Sequence, residues 1–137
     1  MISEPAAWAK YYVGIPFVSG GRNPKVGLDC YGLFRLVMNK HFAKRLPLLD
    51  EGYKDACNVE ESSRIYAMNK PLIAGSRIAQ PVYGCGVVLR YSGRPTHVGV
   101  YVGGGYILHT TAQTGAVLES VDSPQIRSRI EGYYNVN

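Results

Sequence analysis

The stretch VGLDCYGLFRLV, residues Val26–Val37, decides how the rest of this chain is interpreted. From Leu33 to Phe42 apolar residues recur at helical spacing, which predicts a helix that begins after Asp29 and runs to about Lys44. Asp29 is a natural N-cap, and Gly32 in the first turn indicates that another segment approaches the backbone closely there. The pattern therefore predicts that Cys30 stands at the first position of a helix.

A cysteine at a helix start can act as a nucleophile. Unpaired backbone N–H groups and the positive end of the helix dipole surround it, which lowers a thiol pKa and favours the nucleophilic thiolate. The same N–H groups can stabilise an oxyanion formed when the thiolate attacks a carbonyl. Cysteines are also common as small buried hydrophobic residues, so position alone leaves both interpretations of Cys30 open.

Composition limits the class of protein. The chain has 137 residues, 46% hydrophobic and 18% charged, which predicts one globular domain spanning residues 1–137. No apolar run approaches the ~20 residues that a membrane helix needs, and the N-terminus MISEPAAWAKYY lacks the pattern of a signal peptide. We therefore expect synthesis in the cytoplasm, without membrane insertion.

Charge and cysteine usage exclude further classes. The net charge of +5 permits an anionic partner, but the basic residues are scattered, so we expect no nucleic-acid partner. Three cysteines, Cys30, Cys57 and Cys85, show no CxxC spacing and cannot all pair, which predicts reduced thiols. No Cys/His pair has zinc-ligand spacing, and we expect no metal and no cofactor.

Helical patterns come before strand patterns along the chain, which predicts an α+β fold. A first helix is expected in SEPAAWAKYYV with Ser3 as its N-cap, then a loop over residues 14–27, and a weak helix from about Asn58 to Met68 after the Cys30 helix. Apolar runs separated by turn residues predict an antiparallel meander of about five or six strands, Gly86–Tyr91, His97–Val102, Tyr106–Thr110, Ala116–Ser120 and the final IEGYYNV.

Two of the three histidines can cooperate if the register of one hairpin is right. With Gly103–Gly105 as a three-residue loop, Val102 pairs with Tyr106 and Gly99 pairs with His109. His97 then shares a face with His109, within ~8 Å, because side chains alternate along a strand. A base and a residue that orients it are what a thiol nucleophile needs. His41 falls among lysines on the helix and is expected to be far from Cys30.

The segments GLDCYGLFRLV and HVGVYVGGGYILHT together resemble the NlpC/P60 cysteine peptidases, papain-like enzymes that cut peptidoglycan stem peptides. GIPFVSGG is similar to the loop before the family's nucleophile, and the resemblance covers nearly the whole chain. It implies a papain-like fold, with N-terminal helices packed on the meander. It also implies Cys30 as nucleophile, His97 as base, His109 as the orienting residue, and the D-γ-glutamyl–diamino acid bond as substrate.

A finer resemblance is to the short peptidases encoded among the tail genes of tailed phages. Tyr31 follows the nucleophile, an Arg follows in GLFRLV, and the chain closes with RIEGYYN. This resemblance implies a virion location at the phage tail tip and other tail-tip proteins as partners.

The chain departs from the family pattern at three places. Phe17 stands where many relatives have a Tyr whose hydroxyl can help the oxyanion, and Tyr31 stands where Ser is usual. Asp29, Tyr31 and Phe17 are therefore the candidates for the substrate pocket. Cys85-Gly86 replaces a usual Gly-Asp before the strand. These departures bear on rate and specificity more than on the class of reaction.

Three functions remain open at the level of sequence. The first is a peptidoglycan endopeptidase of the phage tail tip that degrades the cell wall locally. The second is a structural tail-tip or hub subunit that keeps the fold with little or no activity. The third keeps the fold but uses the thiol for acyl transfer or amide hydrolysis on another substrate.

Overall fold

The structure is a computed structural model that describes residues 4–46, 76–91 and 94–136. For residues 94–96 it describes the main chain alone. The expected helix at 58–68, the cap Ser3 and Cys57 lie outside these ranges. Along the chain the elements are a 3-10 helix (Ala7–Tyr12), β1 (Arg22–Asn23), β2 (Gly27–Leu28), α1 (Cys30–Phe42), β3 (Arg77–Ile78), β4 (Gly86–Tyr91), β5 (Arg94–Tyr101), β6 (Tyr106–Thr111), β7 (Gly115–Ser120), α2 (Pro124–Arg127) and β8 (Ile130–Tyr134).

Helix α1 begins where the sequence predicts. The Asp29 side chain accepts a hydrogen bond from the Gly32 N–H at 2.8 Å, which makes Asp29 the N-cap. The helix ends at Phe42, slightly before the expected Lys44, because Ala43 adopts a left-handed conformation with φ of 53°. Its buried residues Leu33, Phe34 and Val37 form the main core with apolar side chains of β5 and β6.

The first helix differs from the expectation. It is a 3-10 helix that begins at Ala7, two residues after Pro5, and no side chain caps its start. The loop expected over 14–27 contains the two-residue strands β1 and β2, which pair with each other. Helical order before α1 is therefore shorter than the pattern in the sequence indicates.

The strands form a six-stranded antiparallel sheet in the order β3-β8-β4-β5-β6-β7, which confirms the α+β fold and its meander. Strands β4 to β7 are the meander, and β8 returns to pair with β4 on its other side. One face of the sheet packs against α1. On the other face Val87, Leu89 and Ile107 pack with Ile126 of α2 in a second cluster. In the described ranges no helix is long and apolar enough to cross a membrane.

The β5–β6 hairpin has the register predicted from its three glycines. Val100 pairs with Leu108 and Tyr101 with Ile107, and the Val102 N–H donates to the Tyr106 carbonyl at 3.0 Å. Gly103, Gly104 and Gly105 all have positive φ, a backbone conformation that residues other than glycine rarely adopt. This register places His97 and His109 on one face of the sheet, the face that carries the second cluster.

Candidate active site

Cys30 occupies the first position of α1 and is half-buried. Its sulfur interacts with the backbone N–H groups of Tyr31 and of Val98, the residue that follows His97 on β5. The helix start and strand β5 therefore meet at the thiol, on the section of β5 that carries His97.

The loop before α1 is tied to the helix start through the Asp29 carboxylate. This carboxylate is fully buried and accepts from the Gly20 N–H at 2.9 Å, the Gly32 N–H at 2.8 Å and the Arg22 guanidinium at 2.7 Å. A side chain at position 32 would overlap the carbonyl oxygen of Gly21. The close approach expected at Gly32 is thus made by the loop backbone, and Asp29 fixes where α1 begins.

The thiol pKa is raised rather than lowered, which corrects the expectation from the helix dipole. Burial of the sulfur and the adjacent Asp29 carboxylate raise the pKa of Cys30 to about 12, against the opposing effects of the Val98 and Tyr31 N–H groups and of Arg22. The same residue that caps the helix places a negative charge beside the nucleophile. Without substrate, the sulfur is therefore a neutral thiol at neutral pH.

His97, His109 and Glu119 form a continuous hydrogen-bonded line. His97 Nε2 lies 2.7 Å from His109 Nδ1, and His109 Nε2 lies 2.8 Å from Glu119 Oε1. A carboxylate can only accept, so His109 Nε2 carries the proton and its Nδ1 is the acceptor. His97 then donates through Nε2–H, which leaves a lone pair on its Nδ1. The line thus selects the tautomer in which His97 can act as a base through Nδ1.

Both imidazoles of this line are neutral in the resting protein. Burial lowers the pKa of His97 well below its usual value, and repulsion from the Arg129 charge, and from His109 whenever it is protonated, adds to that effect. Burial also lowers the pKa of His109, although the hydrogen bond and charge of Glu119 oppose it. A neutral imidazole is suited to taking a thiol proton during a reaction, and His97 precedes Val98, whose backbone N–H contacts the Cys30 sulfur.

Tyr91 and Arg129 complete the surroundings of His97. The Tyr91 ring meets the His97 ring edge to face, with centroids 5.1 Å apart, and the Arg129 guanidinium carbon lies 4.3 Å from the centroid of the Tyr91 ring. Burial raises the pKa of Tyr91, the Arg129 charge lowers it, and the Glu119 carboxylate and the Cys30 sulfur in its thiolate form raise it. Tyr91 is therefore within electrostatic reach of both the thiol and the histidine line.

The three pocket candidates have different surroundings. Asp29 is buried and bound by protein donors, and Tyr31 is buried with the Arg22 guanidinium 5.2 Å from its ring centroid. Neither side chain is open to a substrate, because packing of the helix start encloses both of them. Phe17 is half-buried, and its backbone forms a parallel β-bridge with Leu28, two residues before Cys30. Phe17 therefore stays a candidate for the pocket wall.

His41 lies away from Cys30, as expected. His41 is half-buried, stacks on Trp8 at 3.7 Å between ring centroids, and lies 2.7 Å from the Tyr12 hydroxyl. It is eleven residues along α1 from Cys30, which is roughly 16 Å along the axis. Cys85 is a buried free thiol.

Glu119 is the site residue that the sequence prediction missed. In the observed register His109 pairs with Val117, so Glu119, two residues further along β7, projects from the same face as His109. The parity argument that joined His97 to His109 applies equally across the β6–β7 hairpin. Glu119 was missed because the parity argument was applied only to the two histidines, although the predicted bounds Tyr106–Thr110 and Ala116–Ser120 already imply the observed register.

The NlpC/P60 family model matches residues 14–134, from the loop before Cys30 to the end of β8. The chain belongs to the NlpC/P60 family. The matched range contains Cys30, His97, His109 and Glu119, so the whole candidate site falls within the family domain.

One sequence relative is the gamma-DL-glutamyl hydrolase of Bacillus subtilis (strain 168), 25% identical over 130 residues. The match covers 90% of this chain but only 27% of that protein, so the chain spans about a quarter of its relative's length.

Two solved structures share the NlpC/P60 fold with this chain. One is an NlpC/P60 family protein from Bacillus cereus, with a TM-score of 0.65 at 18% identity over 93% of this chain and 37% of that one. The other is the NlpC/p60 domain of the peptidoglycan hydrolase SagA, with a TM-score of 0.61 at 23% identity over 94% and 93% of the two chains. At these identities the likeness establishes the fold.

Proposed function

We propose that this chain is a cysteine endopeptidase that hydrolyses peptidoglycan stem peptides at the bond between a D-γ-glutamyl residue and a diamino acid. The observation that carries the proposal is the meeting of a helix-start thiol with the strand that bears His97, whose Nδ1 is left basic by the His109–Glu119 line. Membership in the NlpC/P60 family and the relative named gamma-DL-glutamyl hydrolase support the substrate class.

The reaction starts from two neutral groups. As the Cys30 sulfur attacks the side-chain carbonyl carbon of the γ-glutamyl residue, its proton passes to Nδ1 of His97. The carbonyl oxygen becomes an oxyanion, which backbone N–H groups at the start of α1 can stabilise. When the C–N bond breaks, the imidazolium of His97 returns that proton to the leaving amine, and a thioester stays on Cys30.

The thioester is then hydrolysed by the same groups. His97 Nδ1 removes a proton from water as the oxygen attacks the thioester carbonyl, and the C–S bond breaks with return of the proton to sulfur. His109 keeps the His97 ring in its orientation through both steps, and Glu119 keeps His109 in its tautomer. The net change is the addition of one water molecule across the amide bond.

The setting that we propose for this reaction is the tail tip of a phage virion, with other tail-tip proteins as partners. Support for it comes from the resemblance of Tyr31, the Arg in GLFRLV and the closing RIEGYYN to phage tail peptidases. The net charge of +5 also suits work on an anionic cell wall.

A second candidate is a structural subunit of the tail that keeps the fold with little activity. The raised pKa of Cys30 and the absence of a hydroxyl at Phe17 favour it, because each weakens one requirement of the thiol mechanism.

Digestion of purified peptidoglycan, with release of soluble muropeptides as the readout, separates the two candidates. We expect digestion by the wild type and none by Cys30→Ala, with the thermal midpoint of the variant close to that of the wild type. The matched control is Cys85→Ala, which removes the other described thiol and should retain digestion. Undiminished digestion by Cys30→Ala refutes the enzyme mechanism, and no digestion by the folded wild type favours the structural subunit.

A further inference from the structure

Arg129 is a cation beside the candidate site whose charge no described side chain neutralises. It lies between α2 and β8, is half-buried, and forms no ion pair with a carboxylate of the described ranges. Its backbone carbonyl accepts from the Arg90 N–H at 2.7 Å, which fixes the main chain at this point. A guanidinium that is anchored at its backbone and unpaired at its tip is free to bind an anion.

The guanidinium is held on the side of Tyr91 by a cation–π contact. Its central carbon is 4.3 Å from the ring centroid of Tyr91, and the same ring meets His97 edge to face at 5.1 Å. Arg129 is thus separated from the proposed base by a single aromatic ring. Its charge is also close enough to lower the pKa of His97.

The carboxylates of Glu119 and Glu131 are both already engaged elsewhere. Glu119 lies on the His109 side of the line and accepts its hydrogen bond from His109 at 2.8 Å. Glu131, two residues after Arg129, accepts from the Tyr134 hydroxyl at 2.7 Å and 2.8 Å. Neither carboxylate pairs with the guanidinium, so an anion that reaches Arg129 has no described protein carboxylate to displace.

We propose that Arg129 binds a carboxylate of the substrate, the free α-carboxylate of the γ-glutamyl residue whose side-chain carbonyl is attacked. This inference rests on the proposed function. A γ-linked glutamyl residue carries that carboxylate four bonds from the scissile carbonyl carbon, whereas an ordinary α-linked peptide has none there. Arg129 therefore selects γ-linked substrates with a free carboxylate over those in which it is amidated or missing, and Tyr91 positions the guanidinium.

Two synthetic peptides test this inference, both L-alanyl-γ-D-glutamyl-diamino acid, one with the free α-carboxylate and one with the α-carboxamide. We expect the wild type to have a kcat/KM roughly ten- to hundredfold higher on the carboxylate peptide, the usual range for a charge-assisted contact. Arg129→Gln should lose that preference because its kcat/KM falls on the carboxylate peptide and stays unchanged on the carboxamide peptide. Arg129→Lys should keep part of the preference. The matched control is Arg127→Gln on α2, which is exposed and should behave like the wild type.

A second measurement separates substrate binding from structural support. Without Arg129 the pKa of His97 rises, so the acidic limb of the kcat/KM profile should move to higher pH in Arg129→Gln, at an unchanged thermal midpoint. A purely structural stacking of Arg129 on Tyr91 would instead lower the midpoint and reduce cleavage of both peptides alike.

The outcomes distinguish this inference from the proposed function. Equal cleavage of both peptides by the wild type, or equal losses on both in Arg129→Gln, overturns the role of Arg129 and leaves the peptidase intact. If the wild type cleaves neither peptide, calorimetric binding to Cys30→Ala decides. Tighter binding of the carboxylate peptide that disappears with Arg129→Gln supports the subsite although the activity fails, and equal binding of both peptides refutes it.

Discussion

At the scale of single residues, the candidate site depends on which nitrogen of each imidazole carries the proton. Glu119 decides this because a carboxylate at 2.8 Å from His109 Nε2 requires a proton on that nitrogen. His109 Nδ1 therefore accepts the hydrogen bond from His97 Nε2, 2.7 Å away, and His97 Nδ1 is left as the base. A residue that touches neither the thiol nor the proposed substrate thus controls the reactive tautomer.

Replacing Glu119 tests this relay. We expect Glu119→Ala to lower kcat by about ten- to a hundredfold with little change in KM, because the lost contact orients a base rather than binding substrate. Glu119→Gln should retain more activity, since its amide oxygen can still accept from His109 Nε2. The control is Asp122→Asn, an exposed acid shortly after β7. A kcat in Glu119→Ala equal to that of the wild type would show that the tautomer is fixed in another way.

The state of the thiol is a second property of a single residue. With the pKa of Cys30 raised to about 12, only a small fraction of the sulfur is thiolate at neutral pH. We expect alkylation of Cys30 by iodoacetamide, followed by mass spectrometry of its peptide, to be slower than that of free cysteine at pH 7. The rate should keep rising to the alkaline limit of the folded protein. A rate that is already maximal at pH 7 would indicate a preformed thiolate–imidazolium pair.

At the scale of elements, the start of α1 and the loop before it behave as one unit. The Asp29 carboxylate joins Gly20, Arg22 and Gly32, so the loop over residues 14–27 cannot move independently of the helix that carries Cys30. The same charge raises the pKa of the thiol. Stability of the helix start and acidity of the nucleophile are therefore opposed at this position.

Asp29→Asn separates the two effects. The amide can still cap Gly32, but Arg22 loses its ionic partner, and we expect a loss of about 1–3 kcal/mol in the free energy of unfolding. The pKa of Cys30 should fall at the same time, because a negative charge beside the sulfur is removed. Urea unfolding and the pH dependence of iodoacetamide alkylation measure the two changes. A variant that is less stable with an unchanged alkylation profile would contradict the electrostatic role of Asp29.

The sequence predicted the position of the start of α1 correctly, but it predicted the wrong direction for the pKa shift of Cys30. The apolar spacing and the cap residue located the helix start, and Gly32 indicated the close backbone approach that Gly21 makes. The direction of the pKa of Cys30 was wrong because a helix dipole is a small, local effect, whereas burial and an adjacent carboxylate both act on the same sulfur. Those two contributions depend on tertiary packing, which local spacing does not contain.

At the scale of the whole molecule, the sheet could be predicted as a meander but not as a complete order of strands. Apolar alternation and turn residues gave the bounds of β4 exactly and those of β6 and β7 to within a residue. The return of β8 to the free side of β4, with β3 beyond it, pairs segments that are distant in sequence. A period-two pattern identifies a strand but carries no information about such a partner.

Two neutral imidazoles buried in this sheet should also make the stability of the whole fold sensitive to acid. The pKa values of His97 and His109 are lower in the folded protein than their usual 6.5, so the unfolded chain binds more protons as the pH falls. Their contribution to stability is therefore complete above pH 6.5 and is lost as the pH falls below it, by up to about 1.4 kcal/mol per pH unit for each group. Thermal midpoints from pH 8 to pH 5 should decline through this window in the wild type and least steeply in the double variant His97→Gln, His109→Gln. His41→Gln should lie between them, because burial and the charge of Lys40 also lower the pKa of His41. An equally steep decline in the double variant would assign the acid sensitivity to other groups and show that the histidine line is not held neutral by the fold.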